Sequence, residues 1–369
     1  MRNLKKFLAL VLSVMMVLSL FVTASATSIK SSVDKTGATQ VFEDAKGREF
    51  QTAIDVLNGM DVLKGRANPT TGVVEGFFPD ADITRAEVAA LVFRLATGQT
   101  DANAADHYAR YGSFSDVPKD AWYAGYVGYC ANAGYIKGYA GETGPFGPSD
   151  PVTGYQALAM ILRAMGYGVN GEFEGTNWQL NVASVGTSTH ILDGINNSHF
   201  GNNTLYNKAP REVVAEIYFQ AAMTPCVVYT PAYGYQTTNM INYTDTTGYQ
   251  SSLGYVNFGL TKTDRVIVGN QDTGETSTLL GEVWTNAAGR YAYPGSVIEW
   301  DENDAPKTYA TGLSLNVKTD LDMFGHRVTA YYNATDNLSA HRTYAIFDEA
   351  TTKYVYAKDG SSATTSDLS

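Results

Sequence analysis

The sequence contains little cysteine and little positive charge for its length. Two cysteines among 369 residues are too few for a disulfide framework. Lysine and arginine number 26 against 37 aspartates and glutamates, so the formal net charge is −11 and the pI is about 4.9. Proteins that bind a phosphate backbone need a basic face. The composition therefore excludes a disulfide-stabilised scaffold and argues against nucleic acid as a partner.

Histidine is also scarce, and no motif of a known catalytic class accompanies it. The five are His107, His190, His199, His326 and His341. The sequence lacks an HExxH pair, a His–Cys grouping, a G-x-S-x-G elbow and a phosphate-binding loop. Asp301-Glu302-Asn303-Asp304 lacks EF-hand spacing and is expected to be an exposed turn. We predict no metal, no cofactor and no catalytic residue, although two glycosidase carboxylates need only be close in space.

A long apolar run occurs once, from Phe7 to Phe21. Three basic residues precede it, and Ala24-Ser25-Ala26 follows with the small side chains that signal peptidase accepts. The run is shorter than the 20 or so residues that a bilayer span needs. We therefore predict an exported protein whose residues 1–26 are a signal peptide and whose mature chain has no membrane span. Loss of three positive charges would take the formal charge from −11 to −14.

Beyond these absences, the sequence contains one unit three times. The first copy contains Phe42-Glu43-Asp44, Val62-Leu63-Lys64-Gly65, Phe78-Pro79 and Ile83-Thr84-Arg85-Ala86-Glu87. The second contains Phe114-Ser115-Asp116-Val117, Ala121-Trp122, Tyr135-Ile136-Lys137-Gly138, Phe146-Gly147-Pro148 and Val152-Thr153-Gly154-Tyr155-Gln156. The third, more diverged, contains Trp178, Ile191-Leu192-Asp193-Gly194, Phe200 and Ala209-Pro210-Arg211-Glu212. Such a repeat determines the architecture before local structure does.

Each unit is predicted to be helix, loop, helix. Thr84 and Glu87 have the spacing of a capping box at the start of a second helix, and Thr153 and Gln156 repeat it. Pro210 suits the first helical position of the third unit. Two short helices cannot bury their own apolar faces, so the three units are expected to share one core.

Together these motifs resemble the S-layer homology domain of bacterial surface proteins. The likeness covers Val41 to Thr224 and is carried by Phe-x-Asp-Val, Ala-Trp, the glycine after the first helix, Phe-x-Pro and Ile-Thr-Arg-Ala-Glu. The resemblance implies a pseudo-threefold spindle of three repeats. It also implies non-covalent attachment to secondary cell-wall polysaccharide, often pyruvylated, in grooves between the repeats.

In that family, the arginine of Thr-Arg-Ala-Glu meets the acidic sugar, so the resemblance assigns this role to Arg85. A guanidinium can hold a carboxylate by two parallel N–H bonds. The alternative is an ordinary solvated residue in the first turn, where a cation is slightly unfavourable. When the units are aligned on the acidic residue of this motif, the position of Arg85 is occupied by Gly154 in the second unit and by Pro210 in the third. Arg211 is one residue further along the chain, which is about 100° further round the helix. One groove is therefore predicted, or two if Arg211 compensates.

Two tryptophans and two glycines complete the predicted groove. Trp122 and Trp178 stand where the family places a groove aromatic, and each can either stack on sugar C–H groups or fill the core. Gly65 is predicted to end the first helix with a positive φ. By resemblance, Gly65 and Gly138 also line the groove.

Asp44 and Asp116 precede the first helix of units one and two. Since aspartate accepts hydrogen bonds from free backbone N–H groups, we predict both as helix caps. Cys130 lies in a helical pattern and Cys226 just after one. We favour two small buried hydrophobes over a disulfide, which an oxidising exterior would permit.

From Thr237 the composition changes to Thr, Tyr, Val, Asn and Gly without helical periodicity. The predicted strands are Gln250–Leu260, Lys262–Gly269, Val297–Trp300, Leu313–Val317, Arg327–Tyr332, Tyr344–Phe347 and Lys353–Tyr356. We expect a small β-rich module that serves assembly, spacing or display.

The predicted fold class is thus an α-helical pseudo-threefold region of three repeats followed by a small β-rich domain. The predicted segments are signal peptide 1–26, linker 27–40, repeat one 41–98, linker 99–112, repeat two 113–168, degenerate repeat three 169–224, β-rich module 225–360 and disordered tail 361–369.

The predicted function is non-enzymatic. It is anchoring of a Gram-positive-type surface or S-layer-associated protein at the cell wall, with secondary cell-wall polysaccharide as partner and self-assembly with other surface proteins. The alternative is a wall-bound hydrolase or glycan-binding module whose activity lies in the β-rich half.

Overall fold

The computed structural model describes residues 27–29, 42–111, 114–139, 144–201, 204–238, 251–269, 296–298, 313–316, 326–338 and 341–353. The predicted signal peptide, the acidic turn at residues 301–304 and the tail from 361 lie outside these ranges, as does the predicted strand after Lys353.

Six helices form three successive pairs. They are α1 Gln51–Gly59, α2 Arg85–Thr97, α3 Ala124–Asn132, α4 Gly154–Ala164, α5 Trp178–Ser188 and α6 Arg211–Met223. The apolar stripe of α2, which includes Val88 and Leu95, is buried. Helix α2 packs on α3, α4 packs on α5, and α6 returns to pack on α1. Each second helix therefore buries its apolar face against the first helix of another pair.

Three backbone hydrogen bonds join the segments that precede α2, α4 and α6. The N–H of Ile83 donates to the carbonyl of Ala209 at 3.3 Å, that of Ala209 to Val152 at 2.9 Å, and that of Val152 to Ile83 at 3.0 Å. These bonds form a closed ring. The ring brings the starts of the three second helices together at one place.

The helix starts are set by local chemistry. Thr84 accepts the N–H of Glu87 while Glu87 accepts the N–H of Thr84, and Thr153 and Gln156 form the same capping box. The prediction that Pro210 is the first helical residue is wrong. Pro210 has an extended ψ of 150°, so it is the N-cap and α6 begins at Arg211.

The predicted role of Gly65 at the helix end is also wrong. Helix α1 ends at Gly59, and the left-handed residue that follows is Asp61, with φ 62°. A Cβ at Gly65 would lie 2.5 Å from Val74 Cγ1 and 2.7 Å from the carbonyl oxygen of Gly76. Glycine is needed here for close approach rather than for a positive φ.

Asp44 and Asp116 do not cap helices, which corrects the prediction. Asp44 accepts the N–H groups of Phe77 and Phe78 at 3.0 and 2.6 Å. Asp116 accepts those of Phe146 and the following Gly147 at 2.7 and 2.8 Å. The two oxygens of one carboxylate match two consecutive backbone donors. Each aspartate therefore holds the turn that precedes the second helix of its unit.

The strands are β1 Thr27–Ile29, β2 Arg66–Ala67, β3 Val74–Gly76, β4 Val227–Thr230, β5 Gly234–Thr237, β6 Leu260–Gly269, β7 Ser296–Ile298, β8 Leu313–Asn316, β9 His326–Asn333 and β10 His341–Lys353. Two short antiparallel hairpins pair β2 with β3 and β4 with β5. The largest sheet has the order β1-β10-β8-β7-β6-β9, and β9 also pairs with β10. Five strands, β6 to β10, thus close into a ring, with β8 and β10 parallel and the other pairs antiparallel.

The prediction of a strand at Gln250–Leu260 is wrong for most of its length. Residues Leu253–Phe258 form a short helix, α7, whose N-cap Ser252 accepts the N–H of Tyr255. Gly259 ends it with φ 62°, and β6 starts directly afterwards. A capping serine and a left-handed glycine outweigh the β-propensity of the residues between them.

The hydrophobic core crosses the predicted boundary near residue 225. Tyr331, Tyr344 and Phe347 of the sheet belong to the same buried cluster as the six paired helices. Gly59 of α1 lies so close to β10 that a Cβ there would meet the Tyr344 carbonyl oxygen at 2.2 Å. Arg342 Nη2 donates to the Gly59 carbonyl at 2.9 Å. The sheet therefore supports the helical half directly.

Both cysteines are free thiols. Cys130 is fully buried and Cys226 is half-buried, as expected of small hydrophobes rather than of a disulfide. Burial raises the pKa of the Cys226 thiol to about 11. No helix in the described ranges is long and apolar enough to cross a bilayer.

Candidate functional site

Two cavities lie at equivalent junctions between helix pairs. The Arg211 cavity, about 580 Å³, is lined by residues that include Lys64, Gly65, Glu87, Arg94, Trp122 and Arg211. The Arg85 cavity, about 480 Å³, is lined by residues that include Lys137, Gly138, Gln156, Arg163, Trp178 and Arg85. Each contains a Lys-Gly loop, a capping-box residue, at least two arginines and a tryptophan, and the Arg211 cavity has Arg66 as a third arginine. The six polysaccharide-binding residues predicted from sequence are thus divided between two places.

Arg85 is a buried cation. Its side chain is 3% exposed, so the alternative of an ordinary solvated residue is wrong. Its Nε donates to the Phe146 carbonyl at 2.6 Å and its Nη2 to the Lys137 carbonyl at 2.8 Å. The guanidinium carbon lies 4.6 Å from the centre of the Phe146 ring and 4.7 Å from that of Tyr139. Burial lowers the pKa of Arg85, and the charges of nearby acidic groups offset part of that effect.

Arg211 makes the same contacts in the other cavity. Its Nε donates to the Phe77 carbonyl at 2.8 Å, its Nη2 donates to the Lys64 carbonyl at 3.0 Å, and its guanidinium lies 4.7 Å from the Phe77 ring. The prediction that it points about 100° away from the Arg85 position is wrong. Both arginines are the first residue of their helix, and Pro210 takes the place of Thr84.

The Arg211 guanidinium also has an acidic partner. Its Nη1 donates to Glu87 Oε1 at 2.9 Å, and Arg66 donates to both oxygens of the same carboxylate at 2.8 Å. Burial alone would raise the pKa of Glu87, but the hydrogen bonds from Arg66 and the charge of Arg211 lower it overall. Burial lowers the pKa of Arg211 to about 10, so it stays charged at neutral pH.

The two tryptophans that line the cavities differ in how far they are exposed to solvent. Trp122 precedes α3 and is 60% exposed, so the alternative that it fills the core is wrong. Trp178 begins α5, is half-buried and packs against the core while lining the Arg85 cavity. Each tryptophan lines a cavity that is also lined by a buried arginine.

The third junction has no arginine at this place. Gly154 is the first residue of α4, and a Cβ there would lie 2.8 Å from Phe200 Cε1 and 3.1 Å from Leu205 Cα. Asn207 Nδ2 donates to the Phe200 carbonyl at 3.0 Å, which replaces the contact that an arginine Nε makes elsewhere. The Phe200 ring and the Leu205 backbone therefore occupy the space that a side chain at this position would need.

Sequence reasoning missed Arg94 and Arg163. Each lies seven residues after the capping-box residue of its helix, two turns further along the same face. Arg94 Nη1 donates to the Val62 carbonyl at 3.2 Å, and its Nε is buried without a partner. Arg163 Nη2 donates to the Phe173 carbonyl at 3.2 Å. The recurrence of arginine at this spacing in two units was the available signal.

Part of the chain matches a known protein family. Residues 113–158 match the S-layer homology domain. This segment contains α3, Trp122, Gly138 and the start of α4 with Gln156.

Three of the characterised relatives are bacterial surface or cell-wall proteins. A surface layer protein of Brevibacillus choshinensis is 30% identical over 148 residues, which is 40% of this chain and 12% of that protein. A cell surface protein of Thermoanaerobacter kivui is 26% identical over 201 residues, 54% of this chain and 23% of that protein. A middle cell wall protein of Brevibacillus brevis is 31% identical over 119 residues, 32% of this chain and 10% of that protein. The chain therefore spans less than a quarter of each relative, and the matches support a location at the cell wall surface.

Proposed function

We propose that this chain, which carries an S-layer homology domain at residues 113–158, anchors a bacterial surface protein non-covalently to an acidic secondary cell-wall polysaccharide and catalyses no reaction. The observation that carries the proposal is the pair of cavities, each with a buried guanidinium beside exposed or half-exposed tryptophan. A pyruvate ketal is one carboxylate-bearing group that such a cavity suits.

The chemistry of each cavity supports an acidic sugar. Carbonyl oxygens hold Nε and Nη2 of Arg85, which fixes the plane of the guanidinium without neutralising it. A planar cation of fixed orientation favours a carboxylate ligand. The face of Trp178 provides apolar surface for sugar C–H groups. Charge and stacking thus act on two parts of one saccharide.

We further infer a pseudo-threefold arrangement of three repeats at 41–98, 113–168 and 169–224. The ring of backbone hydrogen bonds and the return of α6 to α1 support it. Two of the three junctions retain an arginine. Because linked weak sites raise the effective affinity, self-assembly with neighbouring subunits would strengthen a chain with only two such junctions.

Pull-down on purified wall sacculi tests this function. The full chain should be retained on intact sacculi and lost after the secondary polymer is removed. Retention that is unchanged after the polymer is removed, or no retention at all, would contradict the proposal. A zymogram on the same sacculi should show no clearing, since a clearing band would favour the hydrolase alternative.

A further inference from the structure

A third cavity, the seam cavity, lies between the helical half and the sheet. Its volume is about 670 Å³. Pockets of about 300–1,000 Å³ are typical of small-molecule sites. Its lining comes from the segment after α2, from α7, and from the end of β9 and the start of β10. None of these residues lies in 113–158 or lines the Arg85 or Arg211 cavity, so the seam cavity is a separate place in the molecule.

Four residues of the lining carry side-chain amides, namely Gln99, Asn103, Asn257 and Asn333. Asn257 Nδ2 donates to the Leu95 carbonyl at 2.9 Å, and Asn333 Oδ1 accepts the N–H of Thr335 at 2.9 Å. Within the described part of the chain, the side-chain amides of Gln99 and Asn103 make no hydrogen bond with the protein. An amide both donates and accepts, as does a sugar hydroxyl. This lining therefore suits a ligand rich in hydroxyl groups.

The charges at the seam cavity are few and balanced. Arg342 Nη2 donates to Asp61 Oδ2 at 3.1 Å and to the Gly59 carbonyl at 2.9 Å, so this guanidinium already has a carboxylate partner. The other charged lining residue is Asp101, which is exposed. By contrast, four basic residues and one acidic residue line the Arg211 cavity, and three and one line the Arg85 cavity. The seam cavity therefore favours a neutral ligand over an acidic one.

The apolar residues of the lining expose little surface to a ligand. Met60 and Tyr344 are each 1% exposed, and Phe258 is 7% exposed. The hydroxyl of Tyr344 donates to the Phe258 carbonyl. An apolar ligand would cover the surrounding amides without giving them hydrogen-bond partners, which costs free energy for each amide. The ligand that fits is therefore both polar and neutral.

We propose that the seam cavity binds a neutral saccharide, with Gln99 and Asn103 as hydrogen-bonding contacts. This site is additional to anchoring through the Arg85 and Arg211 cavities and does not depend on it. Because the lining combines the segment after α2 with α7, β9 and β10, the bound sugar links the helical half to the sheet. Binding should therefore raise the melting temperature of the whole chain.

Saturation-transfer difference NMR on the full chain tests the proposal. The probes are the methyl β-glycosides of cellobiose, lactose and N,N′-diacetylchitobiose, which are neutral disaccharides of different stereochemistry and substitution. At least one of them should bind and should raise the melting temperature. The matched acid is the same disaccharide with its terminal hydroxymethyl group oxidised to a carboxylate. Binding of none of the three neutral probes would overturn the proposal.

A double variant, Gln99→Ala with Asn103→Ala, locates the bound sugar. Loss of two hydrogen-bonding amides should weaken binding of the neutral probe about tenfold or more. Both residues are exposed, so the variant should fold. Asn170→Ala is the control, because Asn170 is an exposed amide that lines none of the three cavities. Undiminished binding by the double variant, or an equal loss with Asn170→Ala, would overturn the proposal.

Two comparisons separate the seam cavity from the other two cavities. The double variant should leave any binding of the matched acid unchanged, and an equal loss for acid and neutral probe would refute the preference for a neutral sugar. Trp122→Ala removes aromatic surface from the Arg211 cavity and should leave binding of the neutral probe unchanged. A loss with Trp122→Ala as large as that of the double variant would refute the assignment of the site.

The NMR assay uses no sacculi, so its outcome is independent of the anchoring function. A chain that binds the neutral probe and is never retained by sacculi would refute anchoring and support this site. A chain that is retained through the secondary polymer and binds none of the probes would do the reverse.

Discussion

The guanidinium of Arg85 is held by both the carbonyl oxygen and the ring of Phe146, at 2.6 Å from Nε and 4.6 Å from the ring centre. One residue thus fixes both the edge and the face of the cation. Since Phe146 is itself held by Asp116 through its N–H, the position of the guanidinium depends on a chain of contacts that crosses from one unit into the next.

Arg85→Ala should affect both stability and binding. It leaves the carbonyls of Phe146 and Lys137 without their donor, which should cost about 1–3 kcal/mol of unfolding free energy. Retention on sacculi should fall as well. Urea unfolding and the pull-down measure the two effects, with exposed Arg110→Ala as control. Unchanged retention by a folded Arg85→Ala chain would show that the cation only supports the turn.

Asp116→Ala should loosen the turn on which Arg85 depends. Two backbone N–H groups, of Phe146 and Gly147, lose a charged acceptor, and we expect a loss of about 1–3 kcal/mol. Binding of an acidic sugar should weaken although Asp116 touches no ligand. Asp120→Ala, at an exposed position that lines neither cavity, is the control. Equal melting temperatures for the two variants would count against a role of the Asp116 hydrogen bonds in holding this turn.

Gly154→Arg should fail to create a third arginine site. The first side-chain atom would already meet Phe200 at 2.8 Å, so overpacking should destabilise the chain by about 1–3 kcal/mol. Gly154→Ala adds only the Cβ and should account for much of this loss. Differential scanning fluorimetry gives the ranking. A stable Gly154→Arg chain with increased sacculus retention would contradict this account of the junction.

Glu216→Gln should stabilise the chain at neutral pH. Burial raises the pKa of Glu216, and a hydrogen bond from Gln220 offsets part of the rise, so the folded state favours the protonated acid. The carboxyl contributes its full stability only below the unfolded pKa of about 4.3, and that contribution is lost as the pH rises through the raised folded pKa. The gain from the substitution should therefore be large at pH 7 and small at pH 4. Chemical denaturation at the two pH values checks this, and a gain independent of pH would refute it.

Tyr344→Ala should destabilise the helical half although Tyr344 lies in β10. The side chain is 1% exposed, belongs to the shared core and donates its hydroxyl to the Phe258 carbonyl. We expect a loss of about 3–5 kcal/mol, as for other large aromatic side chains, and a smaller loss for Tyr344→Phe. Fluorescence of Trp122, in a chain whose other three tryptophans are replaced by phenylalanine, should report the change in melting temperature. If the substitution leaves the melting temperature reported by Trp122 unchanged, the helices and the sheet unfold independently.

Features determined by neighbouring residues could be predicted from the sequence. The boxes of Thr84 and Thr153 depend on residues three positions apart, and the pattern gave their place directly. The position of Arg211 could not be obtained in that way. Matching the acidic residues shifted the third unit by one, because Pro210 rather than a threonine fills the N-cap.

Features determined by distant residues were predicted less well. The partners of Asp44 lie 33 and 34 residues along the chain, and aspartate is equally suited to capping a nearby helix. The strand predicted around Tyr255 is a helix because Ser252 and Gly259 define its ends, and both residues are as common in turns between strands. The sequence pattern also contained no sign that Tyr344 would pack against α1.

The way the Arg85 cavity is assembled limits how the protein can be dissected. The segment 113–158 supplies Lys137, Gly138 and Gln156, whereas Arg85 comes from upstream and Arg163 and Trp178 from downstream. A recombinant fragment that contains only residues 113–158 would therefore lack part of the lining of this cavity. The shortest piece that retains every wall of this cavity must extend from before α2 to beyond the start of α5.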